Sequence, residues 1–129
     1  MHRQTILGGL IAVAQLVGSH AGFAGPWEDG MAAYNRGDYV PAIQLFRALA
    51  REGNARAQGL LGVMYRRGQG VARNPQHAFV WLNRASAQGD AGAKVQLHEL
   101  SQSMSREEWS QARAMVQACE ASNYRDCEY

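Results

Sequence analysis

A chain of 129 residues holds enough sequence for one small domain. Thirteen Lys and Arg against eleven Asp and Glu leave a formal charge of +2, too balanced for the dense basic face of a nucleic-acid-binding domain. Apolar residues at 47% and charged residues at 19% mark a globular chain, while two cysteines and four histidines leave little material for a metal centre or cofactor site.

In chain order, the first element is not part of the fold. Met1-His2-Arg3 is a short positive start, the apolar run Ile6 to Gly18 follows, and small residues surround Ala21 and Ala24. This order predicts a secretory signal over residues 1–24, cleaved after Ala21 or Ala24. An uncleaved anchor is the competing reading, but a span needs ~20 apolar residues and Gln15 interrupts a shorter run. The product is expected to be periplasmic or secreted and not membrane-spanning after cleavage.

From residue 25 onward no segment alternates with the two-residue period of a strand, and the apolar spacing is helical. Breaks at Gly37-Asp38, Gly53-Asn54, Gly68-Gln69-Gly70, Gly89-Asp90 and Met104-Ser105 predict helices over 27–36, 40–52, 55–67, 75–88, 91–103 and 106–120. Pro41 and Pro75 stand where a first helical turn tolerates proline. Ser105 with Glu108 three residues on forms a capping box for the last helix. The expected class is all-α.

The chain also matches itself. A shift of 36 residues pairs Ala42 with Ala78, Gly53 with Gly89, Ala55 with Ala91 and Ala57 with Ala93; a shift of 31 pairs Tyr34 with Tyr65 and Gly37 with Gly68. The difference of five is an insertion within the second unit, over Gln69 to Asn74. A helical hairpin of this size cannot bury its apolar face alone, so such units stack.

Two runs give the repeat a familiar form. Ala55, Ala57-Gln58, Leu61-Gly62, Tyr65, Gly68 and Gly70-Val71 resemble the first half of a Sel-one-like repeat, a branch of the tetratricopeptide superfamily. Asn74, His77-Ala78, Trp81-Leu82, Arg84-Ala85-Ser86 and Gln88-Gly89 resemble its second half, with Asn74, His77 and Leu82 departing from the family's usual Asp, Lys and aromatic residue. The resemblance implies a short right-handed superhelix of antiparallel hairpins: a tetratricopeptide-like unit over 25–53, the Sel-one-like repeat over 54–89, capping helices over 90–120 and a tail over 121–129. It implies a non-enzymatic adaptor that presents a surface to another protein of the bacterial cell envelope. The alternative is an envelope small-molecule binder or β-lactamase-like hydrolase, disfavoured because the chain lacks a cysteine pair in each repeat and any Ser-x-x-Lys motif.

At 100° per residue, Ala78, Phe79, Trp81, Leu82 and Ala85 fall on one arc, with Asn83 and Arg84 opposite. Ala57, Leu60, Leu61, Met64 and Tyr65 form a comparable arc, and the last helix carries a stripe of Trp109, Ala112, Val116 and Cys119. These arcs are expected to be core. No residues are assigned to catalysis, to a cofactor or to a metal: His77 and His98 are solitary, and Glu107 and Glu108 suit the first turn of a helix. Cys119 and Cys127, an even pair in an exported chain, are expected to bridge as a structural staple. A buried Cys119 thiol beside a frayed tail is the other reading.

Charge supplies the functional clue. Tyr39 to Gly89 carries seven arginines against Glu52 alone, whereas Asp90 onward carries seven acids against four bases. Such asymmetry can steer an anionic partner, or can be a solvated surface with none. Arg56 and Arg67 are eleven residues apart and return to within about 20° on a helix, with Val63 on the same strip and Arg66 at its edge. Arg56, Val63, Arg66 and Arg67 are therefore the expected contacts for an acidic segment of a partner protein.

Overall fold

The computed structural model describes residues 24–124 and residue 127. The expected export signal lies outside these residues apart from Ala24, and so do four residues of the tail. Six helices and no strand make up the described residues: α1 (Pro26–Asn35), α2 (Tyr39–Arg51), α3 (Ala55–Arg67), α4 (Pro75–Ala87), α5 (Ala91–Ser103) and α6 (Arg106–Ala121). Each boundary falls within a residue of the sequence expectation, because the start and stop chemistry is written locally. Asn54, Asn74 and Asp90 cap α3, α4 and α5 by accepting from the backbone N–H three residues on, at 2.8–3.0 Å. Ser105 and Glu108 exchange both bonds of the capping box that opens α6. The chain leaves α2 and α4 through Gly53 and Gly89, 36 residues apart, at φ +94° and +92°, a conformation that L side chains rarely adopt.

The helices pack as consecutive antiparallel neighbours, α1 on α2, α2 on α3, α3 on α4 and α4 on α5. The tightest crossing is α3 on α4, made possible by Gly62. A Cβ there would lie 2.6 Å from Leu82 Cγ and 3.1 Å from the Ala78 carbonyl oxygen. Around it Ala57, Leu61, Met64, Ala78, Trp81, Leu82 and Ala85 are fully excluded from solvent. Gln58 is buried among them. Its amide donates to the Ala50 carbonyl at 3.0 Å, and its oxygen accepts from Gln88 at 2.6 Å, so one side chain ties α2, α3 and the end of α4 together.

The inserted segment after α3 folds back onto the first unit. Gly70, at φ +74°, approaches so closely that a Cβ would lie 2.5 Å from the Tyr39 carbonyl oxygen. The Tyr34 hydroxyl donates to Gln69 Oε1 at 3.1 Å, and the Asn74 N–H donates back to the Tyr65 carbonyl at 2.9 Å. Val71 packs on the core.

The last helix departs from a regular hairpin. The chain breaks through an extended Met104, and α6 packs mainly on α4. Val80, Cys119 and Cys127 form a second small core there, and Cys119 is disulfide-bonded to Cys127. This docking rotates the expected core stripe of α6: Ala112 and Cys119 are buried, Val116 is half-buried, and Trp109 is 39% exposed beneath the Arg113 guanidinium. Docking on α4 leaves Trp109 at the margin. Arg84, expected on the outer side of α4, is instead half-buried, its guanidinium against the rings of Trp81 and Tyr124. No helix among the described residues is long and apolar enough to cross a membrane.

Candidate functional site

The first helix of each hairpin, α1, α3 and α5, contributes to one groove of about 290 Å³. Trp27 of α1 forms one wall. Arg56, Gly59, Leu60 and Val63 come from α3, and Gly92, Ala93 and Gln96 face them from α5. Small residues open this space: Gly59 places no side chain between α3 and α5, and an added Cβ would meet only Ala93 and Ala85, at 3.7 and 3.8 Å.

The groove is polarised by its arginines. The Arg56 guanidinium lies 4.4 Å above the centre of the Trp27 ring, which fixes a delocalised charge at the rim and leaves its N–H edge for hydrogen bonding. Arg66 donates through Nη1 to Gln96 at 2.7 Å and to Glu99 at 3.2 Å, so its charge is bound to α5 at the groove's far side. Asp90, the one acid in the lining, accepts the α5 cap from Ala93 N–H at 2.8 Å. A carboxylate engaged in that way opposes an incoming anion less than a bare one.

Of the four expected contact residues, Arg56 and Val63 line the groove together. Val63 is half-buried and packs partly on the core. Arg67 is exposed and does not line the groove. The other arginines of the basic stretch have partners of their own: Arg47 donates to the Tyr65 hydroxyl at 2.9 Å, Arg73 to the Arg66 carbonyl at 3.3 Å, and Arg84 stacks on aromatic rings. The charge asymmetry is thus partly structural. Trp27, Ala93 and Gln96 were missed by the sequence reading, yet the shift of 36 carries the signal for Gln96, since it pairs Leu60 with Gln96 as it pairs Arg56 with Gly92, all four in the lining. These two pairs of equivalent positions on α3 and α5 share one groove.

No group of three or more His, Cys, Asp and Glu able to hold a metal ion occurs among the described residues. Hairpins packed in sequence, with one groove shared by their first helices, define an α-helical repeat protein. Its second unit matches the Sel1 repeat family over residues 55–90, from the first residue of α3 to the cap of α5. Residues 55–90 are thus similar to a Sel1 repeat, the resemblance carried by the motif residues Ala57, Leu61, Gly62, Tyr65, Gly68, Gly70, Val71, Ala78, Trp81, Ala85 and Gly89. Comparison with curated proteins produced no match. Sel1 repeats generally mediate protein–protein interaction and are typically non-catalytic.

Proposed function

We propose that this protein is a non-enzymatic adaptor of the bacterial cell envelope, exported by its N-terminal signal, that binds an acidic segment of another protein in the groove between α1, α3 and α5. The observation that carries the reading is the Arg56 guanidinium held over Trp27 beside the apolar Leu60 and Val63. A segment with an apolar side chain flanked by carboxylates can fill the groove and take bidentate bonds from the guanidinium edge. Arg67, exposed on the same side of α3, extends the positive field along the approach. The Cys119–Cys127 bond is compatible with an oxidising compartment and supports the export half of the proposal.

The binding half is tested with a labelled peptide carrying glutamates around a leucine. Affinity is expected to fall with salt and to drop at least about tenfold in the Arg56→Glu, Arg67→Glu double variant, with helicity unchanged. Equal affinity in the reversed variant removes this face from consideration. The export half is tested by intact mass in the native host. A product beginning at Gly22 or Gly25 is expected, and the full chain recovered in membranes overturns it.

A further inference from the structure

A second cavity, of about 320 Å³, lies between α4, α6 and the tail, apart from the α1/α3/α5 groove. Val80, Ala87 and Val116 give it apolar walls, and Arg84 supplies its cation. The volume stands at the lower end of small-ligand pockets.

Arg84 is held in an unusual way. Its guanidinium carbon is 5.2 Å from the centre of the Trp81 ring and 4.7 Å from that of Tyr124, so the cation lies against two aromatic rings. The guanidinium edge carries the N–H donors that a ligand would meet. No carboxylate among the described residues forms an ion pair with it. Burial pushes its pKa down from the ordinary arginine value, as for a cation drawn partly out of solvent. Stacked rings orient a guanidinium but do not satisfy its donors, and a carboxylate does.

The tail builds the upper half of this arrangement. Tyr124 closes on Arg84 with its backbone at φ +63°, next to Asn123 at φ +56°. A tyrosine reaches that conformation only where the surroundings hold it. Two features hold it here: the Tyr124 N–H donates to the Cys119 carbonyl at 2.9 Å, and the Cys119–Cys127 bond anchors the chain just beyond.

We propose that this cavity binds an organic monocarboxylate bearing a short apolar group, the chemistry of the α-carboxylate of an apolar amino acid, free or at the C-terminus of a peptide. The carboxylate takes the N–H edge of Arg84, and the apolar group lies against Val80 and Val116. Glu120, exposed in the same lining, selects against dianions such as phosphate monoesters by repulsion.

The test is calorimetric titration of the oxidised protein with N-acetylleucine, leucinamide, leucine, the tripeptide Ala-Ala-Leu and phenyl phosphate. N-acetylleucine is expected to saturate, with leucinamide and phenyl phosphate at least about tenfold weaker. Tighter binding of leucine than of the tripeptide assigns the free amino acid, and the reverse assigns a peptide end. Arg84→Lys, which keeps the charge but not the planar fork, is expected to weaken N-acetylleucine about tenfold, as is Tyr124→Ala. The comparison of N-acetylleucine with leucinamide needs no variant and survives any misfolding of Arg84→Lys. Equal binding of these two compounds, or no saturable binding of N-acetylleucine at millimolar concentration, overturns the proposal.

Discussion

Gly59 and Gly62 sit one turn apart on α3, yet a methyl group acts on them in opposite directions. At Gly59 it meets Ala93 and Ala85 at ordinary contact distance, so Gly59→Ala should raise stability by roughly 0.5–1 kcal/mol through restriction of the unfolded chain. At Gly62 it meets Leu82 and the Ala78 carbonyl far inside contact distance, so Gly62→Ala should cost about 1–3 kcal/mol as α3 and α4 are forced apart. Urea denaturation of the two variants checks both signs. His77, whose ring packs on Tyr65, has its pKa lowered from 6.5 by burial and then by the Arg47 guanidinium. The unfolded chain therefore takes up the proton first. Stability from this group is complete above pH ~6.5 and falls as the pH drops from there toward the lowered folded-state value. Melting temperature measured between pH 5 and 7.5 should lose that part of its slope in His77→Gln. The sequence marks these positions as small or solitary, but which neighbour a glycine admits depends on a crossing that no local pattern encodes.

The helices themselves were legible because their ends are chemical. Asn54, Asn74, Asp90 and the Ser105–Glu108 pair each satisfy a backbone donor within three residues, so the start is decided before any packing occurs. The docking of α6 on α4 was not legible. It follows from the extended Met104 and from the cluster of Val80, Cys119 and Cys127, contacts between residues far apart in the chain. Hence Trp109 was placed in the core by helical arithmetic and is found at the surface. The same cluster sets the role of the disulfide, which closes a short loop on a helix already packed by Ala112 and Val116. Cys127→Ser should lower stability by ~2–3 kcal/mol while leaving the six-helix fold intact. Near-native circular dichroism at 25 °C with a reduced urea midpoint is the expected result; loss of helicity at 25 °C would show that the bond is required for folding.

Over the whole molecule, the basic middle of the chain resolves into arginines bound within the structure and arginines facing out, a division invisible to a count of charges. Arg47, Arg66 and Arg73 donate to named oxygens, whereas Arg56 presents its charge at the groove and Arg67 is exposed at the end of α3. The groove was legible only in part, because its walls come from three helices and only the repeat register connects them. The inserted segment connects the units in another sense. With Gly70 seated on the Tyr39 carbonyl and Tyr34 bonded to Gln69, the second hairpin cannot open without exposing part of the first. Repeat arrays commonly unfold unit by unit, each held only by its nearest interface. Here the two hairpins should behave as a single cooperative foldon, with amides from α1 through α4 exchanging at one common free energy of opening. Gly70→Ala, by lifting the loop from Tyr39, should split that common value in two, so that α1 and α2 exchange faster than the repeat they were fastened to.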